Sequence, residues 1–244
     1  MATNRIRLIS ILILLCAGSA LAQLPLRPSV VLVVNTELDS SRENPTASRL
    51  CNQVRGIIPE TWSIIERHFL AVDTAMLRRE QVRYVLLSGQ GTPWSNYPRS
   101  QTLDFRGFLE NAGVPVLGIC GGHQLIAQAF GVRVAPIWGE LRDSSYEGLV
   151  KQHGFTKIRR CSKSPLFKHL CRTMKVWENH YEEVKSLPRH FKLIATEKGS
   201  RIQAIQHKRL PIYGVQFHPE KLDPQYPDGE KMLLNFFGLR KSVR

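Results

Sequence analysis

The chain has 244 residues, 43% of them hydrophobic and 22% charged, and a formal net charge of +14 at pH 7. That length suits one α/β domain and leaves little room for a second catalytic module. The basic residues are scattered; only "KIRRCSK" and "LRKSVR" are dense, and neither carries the interleaved aromatics of single-strand binding, which argues against a nucleic-acid partner.

The opening "MATNRIRLISILILLCAGSALAQ" places Arg5 and Arg7 before an apolar run from Leu8 to Leu15, then Ala20-Leu21-Ala22 before Gln23. This is the pattern of a cleavable secretory signal peptide. Residues 1–22 are therefore expected to be removed, leaving 23–244 as one domain that is secreted or periplasmic. The apolar run is shorter than the roughly 20 residues of a spanning helix, and no later segment is apolar enough to serve as one. Cys51, Cys120, Cys161 and Cys171 survive processing. An oxidising compartment would allow a Cys161–Cys171 bridge, and none of the four has zinc-site spacing. No signature of a metal or organic cofactor is present.

Further along, strand-like and helix-like segments alternate. "SVVLVVN" (Ser29 to Asn35) is a short β-branched run and reads as a buried parallel strand. A helix is expected over Thr46 to Gly56, then strands at "WSIIERHF", "YVLLSG" (Tyr84 to Gly89) and "VPVLGIC" (Val114 to Cys120), with a helix over Leu103 to Ala112 between the last two. Such alternation points to an α/β fold, a mostly parallel sheet with helices on both faces. The second half reads as antiparallel: "FTKIRRC" as a strand, "SPLFKHL" as a short helix capped by Ser164, then "HFKLIATEKG", "IQAIQHK" and "LPIYGVQFHPE" as strands. "GEKMLLNFFGL" closes the chain as an amphipathic helix.

Two places carry chemistry. Cys120 lies where a strand meets a helix, with Gly118, Gly121 and Gly122 around it; glycines relieve the crowding of so tight a reversal. The helix N-terminus offers free N–H groups to a developing oxyanion. A lone cysteine is more often structural, because cysteine chemistry also needs a base. "YGVQFHPE" supplies one in His218. In an extended chain residues i and i+2 share a side, so Glu220 is expected beside His218 and able to orient its ring. Cys120, His218 and Glu220 then have the roles of nucleophile, base and orienter.

"PVLGICGGHQLIAQAFG" followed by "GVQFHPE" resembles the class I, triad-type glutamine amidotransferases, over essentially the whole chain after the leader. "SPLFKHL", "VWENHYEEV" and "IQAIQHKRLPIYGVQFHPE" are similar to the amidotransferase domain of GMP synthetase, and "CGGHQLIAQAFG" to that of anthranilate synthase. The resemblance implies a flavodoxin-like fold and attack by Cys120 on the glutamine side-chain amide, giving a γ-glutamyl thioester, ammonia and then glutamate, with His218 and Glu220 completing the triad.

It also implies an oxyanion hole from the backbone N–H of Gly121 and a second amide in "SGQGTPW". That loop departs from the family's Ser-Gly-Gly-Pro pattern, with Gln90 where glycine is usual and Gly91 where proline is usual, so either could present the second donor. Gly89, Gln124 and His180 fall at positions expected near the substrate; for Gln124 and His180 a packing role is an equal reading. The expected function is an exported hydrolase of glutamine or a γ-glutamyl amide. The alternatives are a γ-glutamyl peptidase and a non-catalytic binding domain on the same fold. The ligand is a γ-glutamyl small molecule, and an ammonia-accepting partner protein is left open.

Overall fold

In the computed structural model, residues 28–39 and 44–239 are described; the leader read at 1–22 lies outside them. The first half forms strands β1 (Val30–Asn35), β2 (Ser63–His68), β3 (Val82–Leu87) and β4 (Val116–Ile119). Helices α1 (Pro45–Arg55), α2 (Thr74–Arg79) and α3 (Arg99–Asn111) connect them, and α4 (Gly121–Ala129) follows β4. The second half supplies β5 (Val134–Pro136), β6 (Gln152–Arg160), β7 (Thr173–His180), β8 (Glu182–Val184), β9 (Phe191–Thr196), β10 (Ala204–His207), β11 (Ile212–Val215) and the closing helix α5 (Asp228–Phe237).

Nine strands form one sheet in the order β2-β1-β3-β4-β11-β10-β9-β6-β7. The first five are parallel and the rest antiparallel. The parallel part has the 2-1-3-4-5 order of a flavodoxin-like sheet. Each β1 side chain goes to the face its position dictates. Val31 and Val33 pack with Ala47, Leu50 and Val54 of α1 and with α5; Leu32 and Val34 pack with Phe105 and Leu109 of α3 and Leu125 of α4. Burial on both faces explains why the strand is continuously apolar.

Several expectations need correction. The segment "SPLFKHL" makes only a 3-10 turn, Pro165–Phe167, with Ser164 Oγ accepting from Leu166 N at 3.2 Å. Helix α3 starts at Arg99 rather than Leu103, because Pro98 is a natural helix entry and the first turn is polar. The short helix α2 gave no periodic signal: only Met76 and Leu77 of its six residues are buried, and Asp73 Oδ1 caps it through Met76 N at 2.6 Å. Strand β7 was hidden for a different reason. Its inward positions are Met174, Val176, Glu178 and His180, so the apolar alternation breaks where a buried ion pair, His180 Nε2 to Glu178 Oε2 at 3.0 Å, replaces hydrophobic side chains.

The β6–β7 ladder pairs Arg159 with Thr173, and Arg160 N donates to Arg172 O at 2.8 Å. Cys161 and Cys171 lie just beyond the end of that ladder, with Cys161 Sγ donating to Leu193 O at 3.5 Å. Both thiols are exposed and free. Glutathione disulfide is expected to join them, with loss of two hydrogens and formation of two glutathiones, and to raise the melting temperature by several degrees. A non-reducing peptide map checks this; both cysteines remaining alkylatable after oxidation would count against the pairing.

Candidate active site

The parallel strands end along one edge of the sheet, and the chemistry-bearing residues collect there, as they do in open α/β sheets. Cys120 follows β4, the loop from Ser88 to Thr92 follows β3, Thr36 and Glu37 follow β1, and Gln216 and His218 follow β11.

Cys120 is the N-cap of α4 and has φ 52° and ψ −104°, a conformation that side-chain-bearing residues rarely adopt. It is held by Cys120 N donating to Val215 O at 2.8 Å and by Gln124 N donating to Cys120 O at 3.1 Å. The neighbouring glycines relieve crowding, as expected. None of Gly118, Gly121 and Gly122 has positive φ; what they provide is the missing Cβ. On Gly118 a Cβ would lie 2.7 Å from His123 N, and on Gly122 it would lie 2.6 Å from Leu87 Cβ. The strain thus sits on the cysteine, and the glycines let β3, β4 and α4 close around it.

Beside the elbow, His218 Nδ1 and Glu220 Oε1 are 2.7 Å apart, with the side chains only 13% and 8% exposed. The two do share a side, but by a turn rather than along an extended strand: β11 ends at Val215, and Lys221 N closes back onto His218 O at 3.2 Å. His218 N donates to Trp177 O at 2.8 Å, which pins the backbone to β7. Nε2 of His218 is buried without a hydrogen-bond partner. Burial alone would pull the imidazole's proton affinity down, but the adjacent Glu220 carboxylate and Cys120 sulfur outweigh it and hold the pKa well above the ordinary 6.5. Gly89 lies against both: a Cβ there would be 3.7 Å from Cys120 Cβ and 3.8 Å from His218 Cε1.

Positions 90 and 91 differ in their surroundings. Gly91 N donates to Glu37 Oε2 at 2.7 Å, so that amide is taken. Burial would raise the Glu37 pKa, but hydrogen bonds from Thr92, Gly91 and Leu38 more than compensate and leave it lowered. The Gln90 backbone nitrogen lies 2.9 Å from where a Cβ on Gly121 would be.

Gln124 is 2% exposed, with its carboxamide engaged internally: Oε1 accepts from Trp94 Nε1 at 2.7 Å, and Nε2 donates to Glu182 O at 2.6 Å and Gln216 Oε1 at 3.0 Å. As placed, it shapes the site rather than opening into it. Gln216, absent from the expectations, continues the chain by donating from Nε2 to Cys120 Sγ at 3.7 Å. Its signal was its position two residues before His218. His180 is buried on β7, with Nδ1 2.9 Å from Glu182 O and Nε2 paired with Glu178, so its contacts among the described residues are structural. His123 lies fully buried in α4, where burial and the nearby His180 push its pKa down to about 3, so the ring is neutral. Among the described residues no cluster of three or more His, Cys, Asp or Glu could hold a metal, and no helix is long and apolar enough to cross a membrane.

Comparison with known proteins agrees with this architecture. The family model "Glutamine amidotransferase class-I" matches residues 65–238. Among curated proteins, a glutamine-hydrolysing GMP synthase subunit of Pyrococcus abyssi is 42% identical over 123 residues, covering 50% of this chain and 58% of the relative. Its counterpart in Pyrococcus furiosus is 41% identical over 127 residues, covering 52% and 61%. The chain thus spans less than two thirds of the length of these relatives. Among solved structures, a protein provisionally described as a GMP synthase subunit, from Thermoplasma acidophilum, superposes with a TM-score of 0.65 at 26% identity, covering 86% of this chain and 93% of that one. A glutamine amidotransferase from Thermotoga maritima, at 16% identity and a TM-score of 0.59, shares the fold over 85% of this chain and 96% of its own. With the family model matched over most of its length, the chain belongs to the class I glutamine amidotransferase family.

Proposed function

We propose that this chain hydrolyses the side-chain amide of glutamine, or of a related γ-glutamyl compound, through a thioester on Cys120. The observation that carries the reading is the 2.7 Å His218–Glu220 pair with an unpartnered, buried Nε2 beside a cysteine held on a strained strand-to-helix turn. Cys120 Sγ gives its proton to His218 Nε2 and attacks the amide carbon. The resulting oxyanion is held by the amides of Gly121 and Gln90. Collapse expels ammonia, which takes the proton from His218; a water molecule, deprotonated by the same ring, then cleaves the thioester and releases glutamate. Glu220 fixes the ring and strengthens it as a base.

The curated relatives are named as glutamine-hydrolysing components of GMP synthase, which supports glutamine as the substrate. The signal-peptide pattern at residues 1–22 supports a site of action outside the cytoplasm. N-terminal sequencing of exported protein is expected to start at Gln23.

Protein beginning at Gln23, assayed under reducing conditions, is expected to release ammonia from L-glutamine, and Cys120→Ala to lose on the order of 10³-fold or more of that rate. Equal rates in both would remove Cys120 from the chemistry. A rate seen only with γ-glutamyl peptides would move the substrate to that class.

Glu220→Gln is expected to lower the His218 pKa, read by imidazole NMR titration, and to cut kcat on the order of 10²- to 10⁴-fold. The pH dependence has a definite sign. Because the folded pKa is raised, the His218 charge stabilises the fold fully below the unfolded value of about 6.5 and loses that contribution as pH rises through the folded value. Glu220→Gln should therefore destabilise the protein more at mildly acidic pH than in alkali. A pH-independent difference in melting temperature would contradict the coupling.

A further inference from the structure

The Gln90 side chain folds back over the nucleophile turn. Its Cδ is 2.7 Å from the point where a Cβ on Gly121 would stand, its backbone N is 2.9 Å from it, and Oε1 overlaps that point. The oxygen is buried and has no hydrogen-bond partner. A buried carbonyl without a donor is unfavourable, so packing holds it there, with the loop anchored by the Gly91 N to Glu37 Oε2 bond at 2.7 Å. The group involved is a glutamine carboxamide, chemically the same as the group to be hydrolysed, and it lies beside the two amides assigned to the oxyanion.

We infer that Gln90 is a built-in competitor of the substrate: its carboxamide fills the space that the substrate's carboxamide oxygen must enter, and substrate binds productively only when this side chain swings out. Because Oε1 accepts from no donor, the competition is for space and not for the N–H groups themselves. A negative charge developing there would also be repelled by a carbonyl dipole left in place. Turning out breaks no side-chain hydrogen bond at Oε1, so the closed state is set by packing and can be exchanged for the open one. The apparent affinity for substrate is then reduced by the fraction of molecules that are open. The Gln90 side chain acts on access, whereas its backbone N–H acts in the chemical step.

This inference rests on the proposed glutamine-hydrolysing site, and the test separates the two. Gln90→Ala keeps the backbone N–H and removes the carboxamide. With a minor open state of about 0.1–10%, the variant is expected to raise kcat/KM by roughly 10- to 10³-fold, carried by a lower KM. Gln90→Glu, which keeps the size and adds a charge attracted to the same amides, is expected to lower kcat/KM.

A second reading is the rate at which iodoacetamide, whose own carboxamide needs the same space, alkylates Cys120, followed by mass spectrometry. It should rise in Gln90→Ala whether or not glutamine is the substrate. Faster alkylation with no glutamine hydrolysis by any variant would uphold the competitor and overturn the substrate assignment. If Gln90→Ala instead lowers kcat with KM unchanged, the carboxamide is an oxyanion donor and the inference fails. Unchanged alkylation and kinetics would make Gln90 a spectator and overturn it as well.

Discussion

Cys120 must hold a left-handed backbone while two strands and a helix close around it, and nearly everything at this edge of the sheet follows from that requirement. A residue with a side chain at φ 52° costs on the order of 1–3 kcal/mol, so the surroundings have to over-determine it. They do so through two backbone hydrogen bonds, to Val215 O and from Gln124 N, and through contact too close for any Cβ at Gly118, Gly121 or Gly122. The sulfur is thereby placed where β11 delivers His218. Five parallel strands make this placement available, because all their carboxyl ends share one edge.

A polar network runs behind the elbow. Trp94 Nε1, Gln124, Gln216 and Cys120 Sγ form a buried chain of hydrogen bonds from the β3–α3 connection to the nucleophile. Glu182 extends it sideways, accepting from Trp94 N at 3.2 Å and from the Tyr146 hydroxyl at 2.6 Å. Burial raises the Glu182 pKa despite these bonds and pushes the Tyr146 hydroxyl strongly upward. Satisfied networks of this sort rigidify a site, and this one fixes the loops that carry Gln90 and Gly91. Near the end of β1, Thr36, Asn44 and Ser88 together engage Gly89 O, so the loop is tied on both sides.

Local signals were sufficient for the parallel strands and for helices α1 and α4. Strand β1 is a β-branched run, and helix α1 starts where expected because Asn44 Oδ1 accepts from Thr46 N and Ala47 N ahead of a proline-led first turn. Strand β4 and the glycine-rich entry to α4 read the same way. Strand β7 did not, since the alternation a reader looks for assumes apolar residues inward, and Glu178 and His180 turn polar side chains inward instead.

The sequence by itself determined the class of fold, the strand-to-helix turn at Cys120 and the closeness of His218 to Glu220, because each depends on residues within a few positions of one another. Only the tertiary structure decided that Gly91 N is taken by Glu37, that Gln216 reaches the cysteine sulfur, and that the Gln90 side chain lies over the turn. Those contacts join segments of chain far apart in sequence. They are set by how closely β3, β4 and β11 pack and by a carboxylate, Glu37, arriving from the end of a fourth strand, β1.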